Sequence, residues 1–455
     1  MHTRLAPLAL TLAAALLAQG AAAGVPAEEA ARLKTDLTPL GAERAGNKDG
    51  TIPAWSGGLT TAPAGFKSGG RRADPFSGDK PILQIDAKNV DQYADKLTDG
   101  VKALIKKYPD SYRLDVYKSV RSAAAPQWVY DNTFKNATRA TLVEGAAGPA
   151  PRGAAGGIPF PIPKTGAEVI WNTMLRYRGE SWSFEAYTYQ VTSEGKSVML
   201  GKTAVEQASP YYFKDGGSQF SPDFFFIARG ITSAPAMRAG EAILGHNNVD
   251  DAKTSAWVYL TGQRRVRKLP NPCCDTPTPF TAGLMTFDEF EGFSGRLDRF
   301  DWKIVGKREV YIPYNTNRMM VPTKASDVLR AHHLNPDALR WELHRVWVVE
   351  ATLRAGQRHS SPKTRYYIDE DSWIAVLSDR WDGSGQLWRT IFDLPIALPD
   401  LPTVTAMTFG LYELLTGQYA VAGVLNESNN QYSIISPRLP DANFSPDALA
   451  GEGVR

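Results

Sequence analysis

The chain has 455 residues, of which 43% are hydrophobic and 22% charged, a composition typical of a folded globular protein. Its 51 Lys and Arg residues are balanced to a net charge of +3, which argues against nucleic-acid binding because that mode needs a local excess of cations. The length predicts either two or three domains or one large β-rich unit. Aromatic residues make up 10% of the chain and favour strands and apolar pockets.

Residues 1–23 have the pattern of a cleaved secretory signal peptide. Arg4 supplies a weakly positive start, the apolar segment LAPLALTLAAALLA follows, and three alanines precede a cleavage point before Gly24. The apolar run is shorter than the ~20 residues that span a bilayer, so a membrane anchor is disfavoured. No cysteine lies near the cleavage point, which excludes a lipoprotein. We therefore expect a secreted protein of the periplasm.

Residues 24–80 are rich in Gly, Pro and Ala and lack a periodic apolar pattern. A short helix is predicted at 25–33, and the remainder has turn chemistry with Ile52 and Trp55 as its large apolar residues. Such a segment is either a free tail or an extended N-terminal arm laid over a folded body. The two apolar residues favour the arm.

Residues 81–164 are expected to form a helical and mixed N-terminal portion. Apolar residues at three- and four-residue spacing predict a helix over 86–107, and a strand is predicted within 113–123. The loop 145–164, rich in Gly, Pro and Ala, then links this portion to the main body.

Residues 165–440 are expected to form the body, and 441–455 a C-terminal tail. After a helix that begins near Ala167, strand patterns follow one another with turn residues between them. The predicted strand segments are 181–192, 197–207, 224–232, 255–270, 300–315, 343–354 and 365–393. This pattern is typical of a mainly β (α+β) protein with one large curved antiparallel sheet. An apolar concave face on such a sheet is either filled by helices or holds a ligand.

The two cysteines of the chain, Cys273 and Cys274, are adjacent in a proline-dense segment. Two free thiols, a vicinal disulfide and bonds to another chain are all open, and we favour a loop pair without a chemical role. Because the sequence has no second cysteine pair, a zinc site is not predicted.

No motif for catalysis or cofactor binding is present in the sequence. It has no Gly-x-Ser-x-Gly nucleophile elbow, no phosphate-binding loop and no dinucleotide fingerprint. His332, His333, His344 and His359 lie in one region, but the His-Glu-x-x-His pattern is absent and an ion-paired outer face explains them better. We therefore predict no catalytic residues, no metal and no cofactor.

Two acidic clusters and one basic cluster have simple structural interpretations. Residues 287–293 and 368–373 lack the spacing of a calcium loop and are interpreted as turn acids, although a carboxylate pair for acid–base chemistry stays open. The basic residues of 264–268 fall on both faces of a strand. A protected sheet edge is therefore favoured over contact with anionic lipid headgroups.

Several long segments resemble a known family. They are the arm 37–60, the segment FDEFEGFSGRLDRFDWKIVGKREVYIPYN, and the blocks LRWELHRVWVVEATL and RYYIDEDSW. In these the chain is similar to domain-of-unknown-function family 1329, a family of exported bacterial proteins, over nearly its whole length. Cys273 and Cys274 depart from the family pattern.

The resemblance implies an architecture like that of LolA and LolB, the periplasmic lipoprotein carriers. Those proteins are half-open β-barrels of antiparallel strands, covered by helices over an apolar cavity that holds acyl chains. The resemblance further implies a role in moving hydrophobic molecules through the envelope, beside outer-membrane proteins and export pumps. The family has no assigned catalytic residues to carry over.

The leading functional hypothesis is a periplasmic carrier or chaperone that binds a lipid or another hydrophobic molecule. It depends on the predicted export, the aromatic strand faces and the lack of a catalytic motif. The candidate cavity-wall residues are Phe224, Phe226, Trp257, Tyr259, Trp347, Val349, Trp373 and Trp388. Ordinary core packing is the alternative for each of them.

Two other functions stay open. An adaptor that docks on an outer-membrane barrel or an inner-membrane export pump would use the arm 37–60 and the loop 281–299 as contact elements. An envelope hydrolase would use His344, Glu350 and Asp369. Nucleic acid is not an expected partner.

Overall fold

The computed structural model describes residues 24–67, 72–215, 217–270, 273–428, 433–434 and 438–452. The predicted signal peptide, residues 1–23, lies outside the described residues. Within them, no helix is long and apolar enough to cross a membrane.

Eighteen strands are found in the described part of the chain. They are β1 (Leu83–Ile85), β2 (Leu114–Val116), β3 (Thr141–Gly145), β4 (Gly148–Arg152), β5 (Ser181–Val191), β6 (Ser197–Ala208), β7 (Phe224–Ala234), β8 (Ala242–Asn248), β9 (Ser255–Leu260), β10 (Arg265–Lys268), β11 (Phe300–Pro313), β12 (Trp341–Leu353), β13 (Lys363–Asp369), β14 (Ala375–Trp381), β15 (Leu387–Leu398), β16 (Thr403–Glu413), β17 (Tyr419–Val424) and β18 (Ser433–Ile434).

Helices are few and short. The α-helices are α1 (Ala27–Ala30), α2 (Asp99–Lys107), α3 (Gln127–Arg139), α4 (Gly166–Met174), α5 (Ala325–Val328) and α6 (Pro446–Glu452). Short 3-10 helices cover Ala31–Lys34, Val90–Lys96, Pro210–Tyr212, Ala236–Arg238, Asp251–Lys253, Pro279–Thr281, Phe287–Gly292, Asn317–Met320, Pro336–Ala338 and Asp441–Phe444.

Sixteen of these strands form one sheet, and β3 and β4 form a separate hairpin. The strand order is β1-β2-β12-β13-β14-β15-β16-β17-β5-β6-β7-β8-β9-β10, with β11 also paired to β12 and β18 to β5. All pairs are antiparallel except a single parallel bridge between β2 and β12. Within the described residues the end strands β1 and β10 do not pair with each other, so the sheet stays open. The predicted mainly β fold with one large antiparallel sheet is confirmed.

The N-terminal portion shares this sheet, because β1 and β2 extend it beside β12. The helix predicted over 86–107 is divided in two: a 3-10 helix ends at Lys96, and α2 begins at Asp99. The division occurs at Thr98, whose hydroxyl oxygen accepts a hydrogen bond from the Val101 N–H and caps α2. The apolar spacing continues through this cap, which is why periodicity alone predicted one helix.

The N-terminal arm and the C-terminal segment both pack on the body. In the arm, Ile52 is buried, and the indole N–H of Trp55 donates to the carbonyl oxygen of Ala123. At the other end, Phe444 and Leu449 pack against Leu244 of β8 and cover one face of the β6–β9 region. Only the opposite face of this region is left to border a cavity.

Candidate ligand-binding cavity

A cavity of about 310 Å³ lies against one face of the sheet. Strands β5 to β9, β16 and β17 border it, and α4 and residues 279–297, here called the strap, close its other side. The lining residues of β8 run from Ala242 to Asn248, a rise of about 20 Å, so the cavity extends along this strand and is called the tunnel below.

The sheet curls around this tunnel. The seven strands that border it are consecutive neighbours in the order β16-β17-β5-β6-β7-β8-β9. In a flat sheet their outer members would be about 29 Å apart, since neighbouring strands are spaced by about 4.8 Å. All seven can border one cavity only if the sheet is strongly curved.

The strand alternation explains the apolar lining. Side chains on one face of a strand recur every second residue, and Trp182 and Phe184 of β5 both border the tunnel. On β7 the bordering side chain of Phe226 packs in one cluster with those two rings. The wall of the tunnel is thus built mainly from aromatic and aliphatic groups.

One row of residues, three of them small, provides the room. Gln207, Ala228, Gly245 and Ala256 are paired in register across β6, β7, β8 and β9, and all four border the cavity. A Cβ atom built on Gly245 would meet no heavy atom within 4 Å. The tunnel has room beside this row because Ala228, Gly245 and Ala256 have small side chains or none.

Helix α4 forms part of the cover. Thr165 and Glu168 cap its start reciprocally: the Thr165 hydroxyl oxygen accepts from the Glu168 N–H, and the Glu168 carboxylate accepts from the Thr165 N–H. All nine residues of the helix are buried. The indole N–H of Trp171 donates to the carbonyl oxygen of Pro149 at 2.7 Å, which fixes that ring at the cavity wall.

The strap covers the tunnel with aromatic side chains. Phe280, Phe287 and Phe290 border the cavity, and the Phe290 ring lies 4.9 Å from that of Phe409 on β16. It also lies 6.1 Å from the ring of Phe226 on β7. The strap therefore bridges two strands of the curved sheet across the tunnel.

Buried ion pairs fix the strap to the sheet. His359 donates from Nε2 to Asp288 at 2.9 Å, and its Nδ1 lies 2.9 Å from the Ser361 nitrogen and 3.1 Å from the Ser361 carbonyl oxygen. Arg380 on β14 also donates to Asp288. Burial alone would raise the pKa of the Asp288 carboxyl, but Arg380 and His359 outweigh it and hold that pKa below its ordinary value.

The next two acids of the strap are fixed in the same way. Glu289 accepts hydrogen bonds from Arg389 on β15 at 3.0 and 3.2 Å. Glu291 accepts at its Oε2 atom from both Arg176, at 2.8 Å, and Arg178. Each of the three carboxylates is thus held by cations from outside the strap.

Glu291 lies in a buried group of charged residues. Arg178 and Glu291 border the cavity, and the Arg178 guanidinium lies 5.1 Å from the centre of the Phe226 ring. Asp393 is fully buried, and neither of its carboxyl oxygens has a hydrogen-bond partner among the residues that the structure describes. Burial raises the pKa of Asp393 well above its ordinary value, and burial together with Arg178 lowers the pKa of Arg176 to about 10.

Three further arginines at the cavity are paired with carboxylates. Arg229 pairs with Glu206, Arg238 pairs with Glu241 at 2.8 Å, and Arg296 pairs with Asp251 at 3.2 Å and with Asp298 at 2.8 Å.

A family model described as a protein of unknown function (DUF1329) matches residues 84–450. The chain belongs to this family. An uncharacterized protein of Pseudomonas aeruginosa, PA3922, is 42% identical over 452 residues, which cover 98% of this chain and 97% of that protein. The resemblance seen in the sequence is confirmed.

Solved structures of lower identity were also matched. A putative outer membrane lipoprotein-sorting protein domain from Vibrio parahaemolyticus is 12% identical, with a TM-score of 0.43, over 62% of this chain and 97% of that chain. A DUF1329 family protein from Desulfovibrio piger is 14% identical, with a TM-score of 0.41, over the same shares. A LolA superfamily protein from Nitrosomonas europaea is 12% identical, with a TM-score of 0.35, over 63% and 100%.

In this DUF1329 protein, two of the eight sequence-predicted wall residues border the cavity. They are Phe226 and Tyr259, but the Tyr259 ring packs on the opposite face of the sheet with Phe444. Phe224 and Trp257 belong to that same opposite cluster and do not border the cavity. The aromatic positions of β9 face the C-terminal segment, so the smaller residues between them face the tunnel.

The other four predicted wall residues lie in different parts of the fold. Trp347 and Val349 of β12 pack in the cluster that includes α4, and Trp373 stacks on Trp347 with a centroid distance of 6.3 Å. Trp388 lies at the start of β15 under the guanidinium of Arg389. These four side chains pack against protein and do not border the cavity.

The sequence interpretation missed Gly245, Gln207 and the strap. On β7 to β9 the small residues alternate with large aromatic ones, and this alternation was the available signal. The sequence interpretation placed the aromatic residues on the cavity face, because both faces of the sheet are covered and the pattern does not distinguish them. The position of the strap depends on pairings between residues far apart in the chain, which no local pattern contains.

The three residues of the hydrolase hypothesis do not converge. His344 is buried between Asp369, 3.2 Å from its Nδ1, and Glu342, 3.1 Å from its Nε2. Glu350 lies six residues further along β12, about 20 Å away, where it pairs with Arg365 and Lys363. The structure therefore brings His344 and Asp369 together without Glu350.

His344, Asp369 and Asp371 do offer ligand atoms within 4.8 Å of one another. Both imidazole nitrogens already face carboxylates, however, and Arg121 donates to both oxygens of Asp371 at 2.7 and 2.8 Å. Burial lowers the pKa of His344, but hydrogen bonds to Asp369 and Glu342 outweigh it and raise that pKa to about 10. The arrangement fits a buried network of ion pairs better than a metal centre.

The two elements of the adaptor hypothesis make internal contacts. Arg121 donates to the carbonyl oxygen of Glu43 in the arm, and the loop 281–299 supplies most of the strap. Just before the strap, Cys273 and Cys274 form a vicinal disulfide, and Cys273 borders the cavity. The sequence analysis favours a loop pair without a chemical role, whereas the structure has the vicinal disulfide that was the alternative.

Proposed function

We propose that this protein is a periplasmic carrier for a lipid or another chain-shaped hydrophobic molecule. The observation that supports this most is the mainly apolar tunnel between the curved sheet and the strap. Its volume of about 310 Å³ lies at the lower end of the range for ligand pockets, and its wall also carries polar and charged side chains such as Gln207 and Arg238. A cavity that extends along a strand suits an extended chain.

The energetics agree with a carrier. Burial of a CH₂ group contributes about 0.8 kcal/mol, so ~12 carbons contribute roughly 10 kcal/mol before the costs of association. Those costs are about 4 kcal/mol or more, which leaves an affinity that permits both loading and release. No reactive group is needed for this activity.

The predicted export of this protein is consistent with a carrier. The predicted signal peptide would deliver the protein to the aqueous space between two membranes, which hydrophobic molecules cross poorly without cover. Docking on a membrane barrel or a pump stays a prediction, as does the lack of enzymatic activity.

Two measurements test the carrier. First, native mass spectrometry of protein purified from the periplasm should show a co-purified hydrophobic molecule. Second, Gly245→Leu should fill the tunnel and reduce the binding of a fluorescent naphthylamine probe at least about tenfold, since the added side chain occupies the space of the ligand.

Gly262→Leu is the matched control. A Cβ atom at Gly262 also meets nothing within 4 Å, but this residue lies in the exposed turn between β9 and β10. The control should bind the probe as the wild type does. Equal binding by the Gly245→Leu variant, with the same thermal stability as the control, would contradict the proposed site.

A further inference from the structure

A patch of positive charge lies on the end strand β10 and the turn before it. Its four members, Arg264, Arg265, Arg267 and Lys268, are all exposed, and among the described residues none of them forms an ion pair. The full chain has a net charge of only +3, so these four cations carry more positive charge than the chain has in total. The charge of this protein is therefore concentrated at one edge of the sheet.

The strand register places two of these cations on the tunnel side of the sheet. Arg265 is paired with Leu260 and Arg267 with Val258. Leu260 and Val258 both border the cavity, and directly paired residues project from the same face. The two arginines therefore extend the lining face of β9 to the edge of the sheet. Lys268 projects from the opposite face and continues the charge around that edge.

An exposed apolar side chain lies beside the patch. Met237, which is 85% exposed, lies in the turn between β7 and β8. A Cβ atom built on Gly240 of this turn would be 3.0 Å from the side chain of Thr261, in the turn between β9 and β10. The two turns are thus neighbours, and the second of them also carries Arg264.

The turn that carries Met237 is fixed and forms one end of the tunnel. The Arg238 guanidinium donates to Glu241 at 2.8 Å and to the carbonyl oxygen of Leu200 at 2.8 Å, which ties the turn to β6. Arg238 and Glu241 also border the cavity. The exposed methionine is therefore held in place where the tunnel ends.

We propose that this end of the sheet docks on an anionic phospholipid bilayer, with the arginines of 264–267 against the headgroup phosphates and Met237 inserted between the headgroups. Cations are attracted to an anionic lipid surface, and an apolar side chain gains free energy when it leaves water.

Protection of a sheet edge against pairing is the simpler explanation for the cations alone. It does not account for Met237 beside them, and a single exposed methionine is by itself ordinary. A bilayer accounts for the apolar group, the unpaired cations and their position at one end of the tunnel together. Docking is separate from cargo binding, and it would bring the tunnel to a lipid surface.

Vesicle flotation tests the docking. The wild type is mixed with vesicles of phosphatidylcholine alone or with vesicles that also contain phosphatidylglycerol. It should bind the anionic vesicles at least about tenfold more tightly at low salt, and this preference should decline as the ionic strength rises. Equal binding to both kinds of vesicle would overturn the proposal.

Charge reversal locates the surface. Arg265→Glu with Arg267→Glu should weaken binding to the anionic vesicles at least about tenfold. Lys48→Glu with Lys88→Glu is the matched control, because it makes the same change in net charge at exposed positions in the arm and after β1. The control should bind nearly as the wild type does, and equal losses in both double variants would overturn the proposal. Both should keep the binding of the naphthylamine probe, so a failure of docking is distinguishable from a failure of the carrier.

Met237→Ser distinguishes a bilayer from an acidic protein as the partner. It should weaken binding to the anionic vesicles at least about threefold, because the apolar insertion is lost, and Met237→Leu should restore it. Unchanged binding by Met237→Ser, together with displacement of the wild type from vesicles by soluble polyglutamate, would assign the patch to an acidic protein and overturn the bilayer.

Discussion

The Nε2 atom of His359 lies 2.9 Å from Oδ2 of Asp288, so a histidine between β12 and β13 holds the strap against the sheet. This contact is buried on both sides, and the Arg380 guanidinium lies against the same carboxylate. The closure of the tunnel therefore depends on charged groups that have been removed from water.

Asp288→Asn should destabilise the protein by about 3 kcal/mol, because buried Arg380 loses its nearer carboxylate and keeps only Glu289, at 3.7 Å. Urea unfolding measures this loss. Asp301→Asn is the control: its pair with Arg354 is exposed, so the change should stay below about 1 kcal/mol. A similar loss in both variants would contradict the role of the buried pair.

Acid should weaken the contact between Asp288 and Arg380. The folded pKa of Asp288 is held below its ordinary value of 3.8, so its stabilising contribution is present above that value and is lost as the pH falls through the folded pKa. The difference in unfolding free energy between wild type and Asp288→Asn should therefore shrink below pH 3.8. A difference that stays constant into that range would disprove the assignment.

His344 should show the opposite pH dependence. Its folded pKa is raised from 6.5 to about 10, so its contribution is fully present below pH 6.5 and is lost as the pH rises toward 10. Nitrogen-15 NMR of the imidazole should show a doubly protonated ring at pH 8. The stability advantage over His344→Gln should decline between pH 6.5 and 10, and a neutral ring at pH 8 would refute this expectation.

The packing of the N-terminal arm on the body should depend on the indole of Trp373. Trp373 is fully buried, and its ring N–H donates to the carbonyl oxygen of Leu40 at 2.8 Å. Trp373→Phe leaves that carbonyl without its donor, so we expect a loss of about 1 to 3 kcal/mol and faster proteolysis within residues 24–67. Trp388→Phe, whose indole N–H donates to Ser361 in the body of the fold, should not accelerate that cleavage. Neither variant should change probe binding, since neither ring borders the tunnel.

The vicinal disulfide should be detectable by thiol titration. Denatured protein should contain no reactive thiol before reduction and two after it. Replacing both cysteines by serine should change the unfolding free energy by less than about 1 kcal/mol, because so short a ring restricts the unfolded chain very little. Two reactive thiols in unreduced protein would show that the bond is absent.

The sequence was sufficient to predict the mainly β fold because long strands with turns between them leave a strong local pattern. It was also sufficient to identify the family, through segments such as 287–315. It did not identify which face of a strand lines the tunnel. Tyr259 and Val258 are adjacent and both apolar, and only the distant C-terminal segment decides that the tyrosine ring faces Phe444.

The site itself depends on contacts that no local pattern contains. Glu291 looked like a turn acid, yet it binds Arg176 and Arg178, which are more than 110 residues earlier in the chain. The sequence interpretation predicted mainly large aromatic residues as the cavity wall. The tunnel instead requires positions where side chains are small, and Gly245 is the clearest of these.

The three ion-paired carboxylates of the strap also determine how a molecule can enter. Lifting the strap would separate Asp288, Glu289 and Glu291 from cations on β14, β15 and the segment after α4, and each broken buried pair costs about 3 to 5 kcal/mol. Exchange by hinged opening would therefore require these buried ion pairs to break together. The charge pairs favour threading of a chain through one end of the tunnel, so the rate of loading would depend on the width of that end and on the length of the cargo.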